Sequence, residues 1–166
     1  MPEYDLSFAF KLAEVASEVE RREPYAYDTR RVVVYLSRLS VEITLKALLK
    51  AAGKPVPNIR RRSHDLRGLL DDLGACEVKI DAVTGVKAWS SAAQLRAAVI
   101  DLGLVHVPIG ELICAEDQGA SRYPNQIRYG ETVIDMSPSL LASMAVVAAN
   151  WARANIGTIR LRARDG

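Results

Sequence analysis

After Pro24 the chain carries no proline until Pro55, and its first glycine in that interval is Gly53. Asp28 is a good helix cap, Gly53 a C-terminal stop and Pro55 a block to continuation. Residues 28–52 are therefore expected to form one helix about 36 Å long. Val32, Leu36, Leu39, Ile43 and Ala47 make one apolar row along it, and Val34, Val41, Leu45, Leu48 and Leu49 make a second. A surface helix shows one apolar stripe, so two rows mean contact from two sides. This helix is the expected spine, and the other segments must pack around it.

Residues 5–22 give a first helix, with Phe8, Leu12, Val15 and Val19 on one stripe and Pro24 closing it. Residues 54–62 hold two prolines and three consecutive arginines without an apolar period, and are expected to be a loop. Ser63 is expected to cap a helix carrying Leu66, Leu69, Leu70 and Leu73, with Gly74 ending it. Residues 81–89 are read as helical and leading into a further helix from Ser91, where Gln94 completes a capping box before Leu95, Ala98, Val99 and Leu102. Pro108 opens a helical piece ending near Gly119. Tyr129, Thr132, Val133 and Ile134 suggest a short extended piece, and Ser137 with Pro138 opens the last helix, which runs to about Asn155. The sum is an all-α domain over residues 1–156: an antiparallel bundle of four to five main helices with a long central helix. Residues 157–166 form a basic tail expected to fray or to bind a partner.

A chain of 166 residues, 49% of them hydrophobic, can bury a core without metal or disulfide support. Twenty-two Lys and Arg against twenty Asp and Glu leave a net charge of +2, so any nucleic-acid partner must be argued from local clusters. The longest weakly polar run, residues 140–149, is interrupted by Ser143 and is about half the ~20 residues needed to cross a bilayer. The N-terminus lacks the basic then apolar layout of a secretory signal. The expected compartment is the cytoplasm, with no membrane contact. Cys76 and Cys114 stand far apart and are expected to be buried, reduced thiols. The sequence has no G-x-G-x-x-G, no G-x-x-x-x-G-K-[ST] and no G-x-S-x-G, leaving dinucleotide, P-loop and hydrolase readings without support. His64, His106 and two separated cysteines match no zinc spacing, so neither metal nor cofactor is expected.

Chemistry concentrates at residues 60–67. Arg60, Arg61 and Arg62, joined by Lys54 and Arg67, form the densest positive cluster, suited to phosphate contact. His64 follows at once and has two readings. A neutral imidazole beside guanidiniums can act as base on a ribose 2′-hydroxyl; alternatively it packs against the spine while the arginines are simply solvated. His106, between Val105 and Val107, is read as a core histidine. Glu42 and Lys46 make an i, i+4 pair in the favourable order on the spine.

Residues 35–49, Tyr-Leu-Ser-Arg-Leu-Ser-Val-Glu-Ile-Thr-Leu-Lys-Ala-Leu-Leu, then a proline-containing loop, then His64-Asp65-Leu66-Arg67-Gly68-Leu69-Leu70, resemble the HEPN family (higher eukaryotes and prokaryotes nucleotide-binding). The matching positions are Glu42, Leu45, Lys46, Leu48 and Leu49 on the long helix, and His64, Leu66, Leu69 and Leu70 on the next. Arg122-Tyr123-Pro124 is similar to the Arg-Tyr-Pro that precedes the last helix in many members. The resemblance implies a helical bundle, a homodimer, and a role in prokaryotic defence, toxin–antitoxin or RNA-processing systems. It also implies RNA, a nucleotide or a nucleotidyltransferase-type protein as partner. Its ribonuclease members carry Arg-x(4–6)-His. Here three residues separate Arg60 from His64 and nine separate Arg96 from His106, so that spacing is absent. The expectation is a binding module with Arg60, Arg61, Arg62, Arg67, Arg122 and Tyr123 at phosphate or base, and Glu42, Lys46, Leu66 and Pro124 as structural motif positions. The alternatives are a metal-independent ribonuclease using His64 with a nearby arginine, and a purely structural partner of another protein.

Overall fold

The computed structural model describes residues 3–81, 83–116, 127 and 137–163. Helix α1 (Leu6–Arg22) starts where the Asp5 carboxylate accepts the Ser7 N–H at 2.9 Å. The buried face of α1 is Ala9, Leu12, Ala13 and Ala16, while Phe8 is exposed. The contact stripe is thus turned toward small residues, which let α1 approach the spine closely. The spine is α2 (Tyr27–Ala51), with Ala26 rather than Asp28 at its N-cap and Gly53 just beyond it at φ +93°. Buried residues lie all around α2 from Val33 to Leu49, as its two apolar rows require. Its neighbours are α1 and α6 (Pro138–Asn155), which present Ala13 and Ala16 and Ala145, Ala148 and Ala152 to the core. Ser40 Oγ donates to the Ala9 carbonyl at 2.7 Å inside the α1–α2 contact.

Two short helices follow the spine. Residues 54–62 are not wholly loop: Val56–Arg61 forms α3, with Pro57 in its first turn where no intrahelical N–H is needed. Helix α4 (Leu66–Asp72) begins later than Ser63. Ser63 sits at φ +48°, and Asp65 is the cap, accepting the Gly68 N–H at 2.8 Å.

The all-α expectation is wrong. Among the described residues 64% are helical and 14% are in strands. Strands β1 (Cys76–Asp81) and β2 (Lys87–Ser91) form an antiparallel hairpin, and β2 falls where a helix was expected over residues 81–89. Glycine at residue 85, φ +73°, lies in their turn. Cys76 and Val78 of β1 are buried, whereas Lys79 and Asp81 are exposed, so the alternation has the two-residue period of a half-buried strand. Ser91 does cap, accepting the Ala93 N–H at 3.2 Å, but what it caps is a 3-10 turn (Ala92–Ala97). Gln94 bonds to Ser90 instead of completing the box. Strands β3 (Val99–Asp101) and β4 (His106–Pro108) then make a second hairpin before α5 (Ile109–Glu116). The tail does not fray at Arg160–Leu161: these residues are β5, paired antiparallel to β1, giving the order β2-β1-β5. Among the described residues no helix is long and apolar enough to cross a membrane.

Candidate functional site at the α2–α4 corner

Charges recur every fourth residue along α2, at Arg38, Glu42, Lys46 and Lys50, and so lie on one face. Arg38, Glu42 and Lys46 are 2%, 4% and 8% exposed. Burying charge is unfavourable unless each ion is paired and hydrogen-bonded. Lys46 Nζ donates to Glu42 Oε1 at 2.6 Å, and Glu42 Oε2 lies 3.0 Å from His64 Nδ1. With the carboxylate ionised, Nδ1 carries the proton and donates. The Glu42 carboxylate therefore serves the ammonium with one oxygen and orients the imidazole with the other. His64, just before α4, keeps its side chain 47% exposed.

The arginine cluster is largely neutralised from within. Arg60, at the end of α3, donates to Glu3 Oε1 through Nε at 3.0 Å and through Nη2, and this bonding raises its pKa above the usual arginine value. Arg62 grips both oxygens of Asp72, at 3.0 and 2.7 Å, and Lys54 Nζ binds the same carboxylate at 2.6 Å. Burial pushes the Asp72 carboxyl up, but the hydrogen bonds from Arg62 and Lys54 outweigh it and hold the group below the ordinary aspartate range. Arg61 and Arg67 are exposed on α3 and α4.

Of the residues anticipated from sequence, the fold brings Glu42, Lys46 and His64 into contact, and buries Leu66 as the first residue of α4. Arg60, Arg61, Arg62 and Arg67 stay on the same two short helices and their connection. Arg122, Tyr123 and Pro124, and the extended piece at 129–134, lie outside the described residues. His106 is not a core histidine: it is exposed in β4, with Nδ1 3.6 Å from Asp101 Oδ1. Cys76 is buried as expected, whereas Cys114 is exposed. The sequence reading overlooked Glu3, Tyr4, Arg38 and Lys50. For Arg38 and Lys50 the signal was present, since both continue the four-residue spacing of Glu42 and Lys46. Among the described residues no cluster of three or more His, Cys, Asp or Glu is placed to hold a metal ion. No protein-family model, curated protein or solved structure matches this chain.

Proposed function

We propose that this protein is an RNA-binding module related to the HEPN family, and that it meets RNA at the α2–α4 corner. The observation that carries the reading is the Glu42–His64 contact at 3.0 Å. Two segments that resemble the family separately converge where Glu42 and His64, twenty-two positions apart in the chain, bring a buried carboxylate to a half-exposed imidazole. Arg61 and Arg67, exposed three residues before and after it in the chain, supply charge for phosphate. The homodimer and the nucleotidyltransferase-type partner implied by the resemblance belong to the same proposal, and light scattering of the purified protein checks the first. Fluorescence polarisation with a mixed-sequence single-stranded RNA tests the binding. Arg61→Ala with Arg67→Ala should weaken it, and unchanged affinity would sink the reading.

The same contact favours a second reading, a metal-independent ribonuclease. A carboxylate-oriented imidazole is the arrangement that serves general-base chemistry. His64 would take the proton of a ribose 2′-hydroxyl as that oxygen attacks the adjacent phosphorus. The P–O5′ bond would break, the 5′-oxygen would take up a proton, and a 2′,3′-cyclic phosphate would remain. Incubation of RNA in excess EDTA, wild type beside His64→Ala, separates the two. Cleavage by the wild type alone makes it an enzyme; intact RNA that is nonetheless bound makes it a binding module.

A further inference from the structure

The two residues that lead into α1 lie against this corner. Lys50 Nζ donates to the Glu3 carbonyl at 3.0 Å, and Arg60 holds the Glu3 carboxylate. Tyr4 places its ring 5.5 Å, to the centroid, from Lys46 Nζ, the ammonium that also binds Glu42. A continuous row results: His64, Glu42, Lys46 and Tyr4, then Glu3 between Lys50 and Arg60. Tyr4 is at φ +64°, in the left-handed region that residues with a Cβ seldom occupy. Such a conformation persists only where surrounding contacts hold it.

Within two residues this segment offers an anion to a guanidinium, a carbonyl to one ammonium and an aromatic face to another. Those are the groups that one nucleotide offers through phosphate, base edge and base ring. We infer that the Glu3–Tyr4 segment is an internal competitor for RNA, holding the positions on Arg60 and Lys46 that a phosphate and a base take when RNA binds. The inference rests on the RNA-binding reading of this corner and names how that binding is regulated. The contacts suit displacement. Arg60 is two-thirds exposed and Glu3 about one-third, and ion pairs this open to water are weak. The left-handed Tyr4 relaxes once released. A phosphate chain brings several charges, with counterion release behind each one. The segment therefore sets a threshold that RNA must exceed, and does not seal the site.

Removing the competitor tightens binding. Glu3→Gln keeps the length of the side chain and deletes its charge. It should lower the dissociation constant for labelled single-stranded RNA about two- to fivefold. In an Arg60→Ala background the same substitution should have no effect, because the partner is gone. Tyr4→Ala should also tighten binding; since Tyr4 packs against the core, its urea midpoint must be measured alongside, and Glu3→Gln carries the test alone if that variant is unstable. Hydrogen exchange at the Tyr4 and Asp5 amides should speed up when RNA saturates the wild type. Unchanged or weaker binding by Glu3→Gln, where Arg61→Ala with Arg67→Ala still weakens binding, overturns the competitor and leaves the RNA reading standing. No binding by wild type or by Glu3→Gln overturns both.

Discussion

Glu42 is buried with the Lys46 ammonium on one oxygen of its carboxylate and the His64 imidazole on the other. The asymmetry makes single substitutions informative. Glu42→Gln leaves the Lys46 ammonium buried beside a neutral amide, and should lower unfolding stability by about 2–4 kcal/mol. Adding Lys46→Met should recover most of the loss, because the orphaned charge goes with it; urea denaturation of the two variants checks both steps. His64→Ala should cost less, about 1 kcal/mol, because Lys46 still pairs the carboxylate and water can enter the half-exposed place the imidazole leaves. Asp72 argues through pH. Its carboxyl lies below the ordinary aspartate range in the folded state. Its contribution is therefore complete above the unfolded value, near pH 4, and is lost as pH falls through the lower folded value. Asp72→Asn should reduce stability at neutral pH by about 1–3 kcal/mol, and unfolding followed from pH 7 to pH 2 should decline less steeply in the variant. His106 shows why single residues were only partly legible. Its neighbours are apolar, but Leu104 at the hairpin tip is 100% exposed. Apolar neighbours imply burial only after the element that carries them is known.

Elements were legible where local signals suffice and obscure where pairing decides. The spine, α1 and α6 are bounded by prolines, glycines and periodicity, and their ends fall within one residue of expectation. The strands depend on partners distant in sequence. Cys76-Glu77-Val78-Lys79-Ile80-Asp81 has a clean two-residue alternation, yet this segment is a strand because Lys87–Ser91 and Arg160–Leu161 pair with it on either side. The Ser91 capping signal was correctly located, but it cannot specify how long the capped turn runs. The tail misled for the same reason. Alternating Ile159, Arg160, Leu161 and Arg162 is a strand signature, but a strand at a chain end is stable only where an edge receives it. Here Leu161 N donates to the Ala52 carbonyl at 3.0 Å and Arg162 N to the Ala75 carbonyl at 2.8 Å, while Ile159 is buried. Ile159→Ala should therefore destabilise the protein by about 2–4 kcal/mol. A frayed tail would tolerate the change, so an unaltered melting temperature would contradict the observed pairing.

At the scale of the molecule the charge ledger limits how RNA can be held. The net charge is only +2, so no long-range field gathers phosphate and affinity must come from a few placed groups. Near the corner, Arg62 and Lys54 are committed to Asp72, and Lys46 is committed to Glu42. The exposed guanidiniums of Arg61 and Arg67 meet phosphate at the surface, joined by Arg60 once Glu3 is displaced. Each neutralised phosphate on a single strand contributes about −0.7 to the slope of log K against log salt. The expected slope is thus shallow, near −2, and Arg61→Ala should reduce its magnitude by about 0.7. Affinity measured across a salt series decides the matter. A slope near −5 would require several more cations than this corner can present, and would move the RNA interface to another surface. A shallow slope that Arg61→Ala flattens would fix it at α3 and α4, beside the imidazole that Glu42 holds.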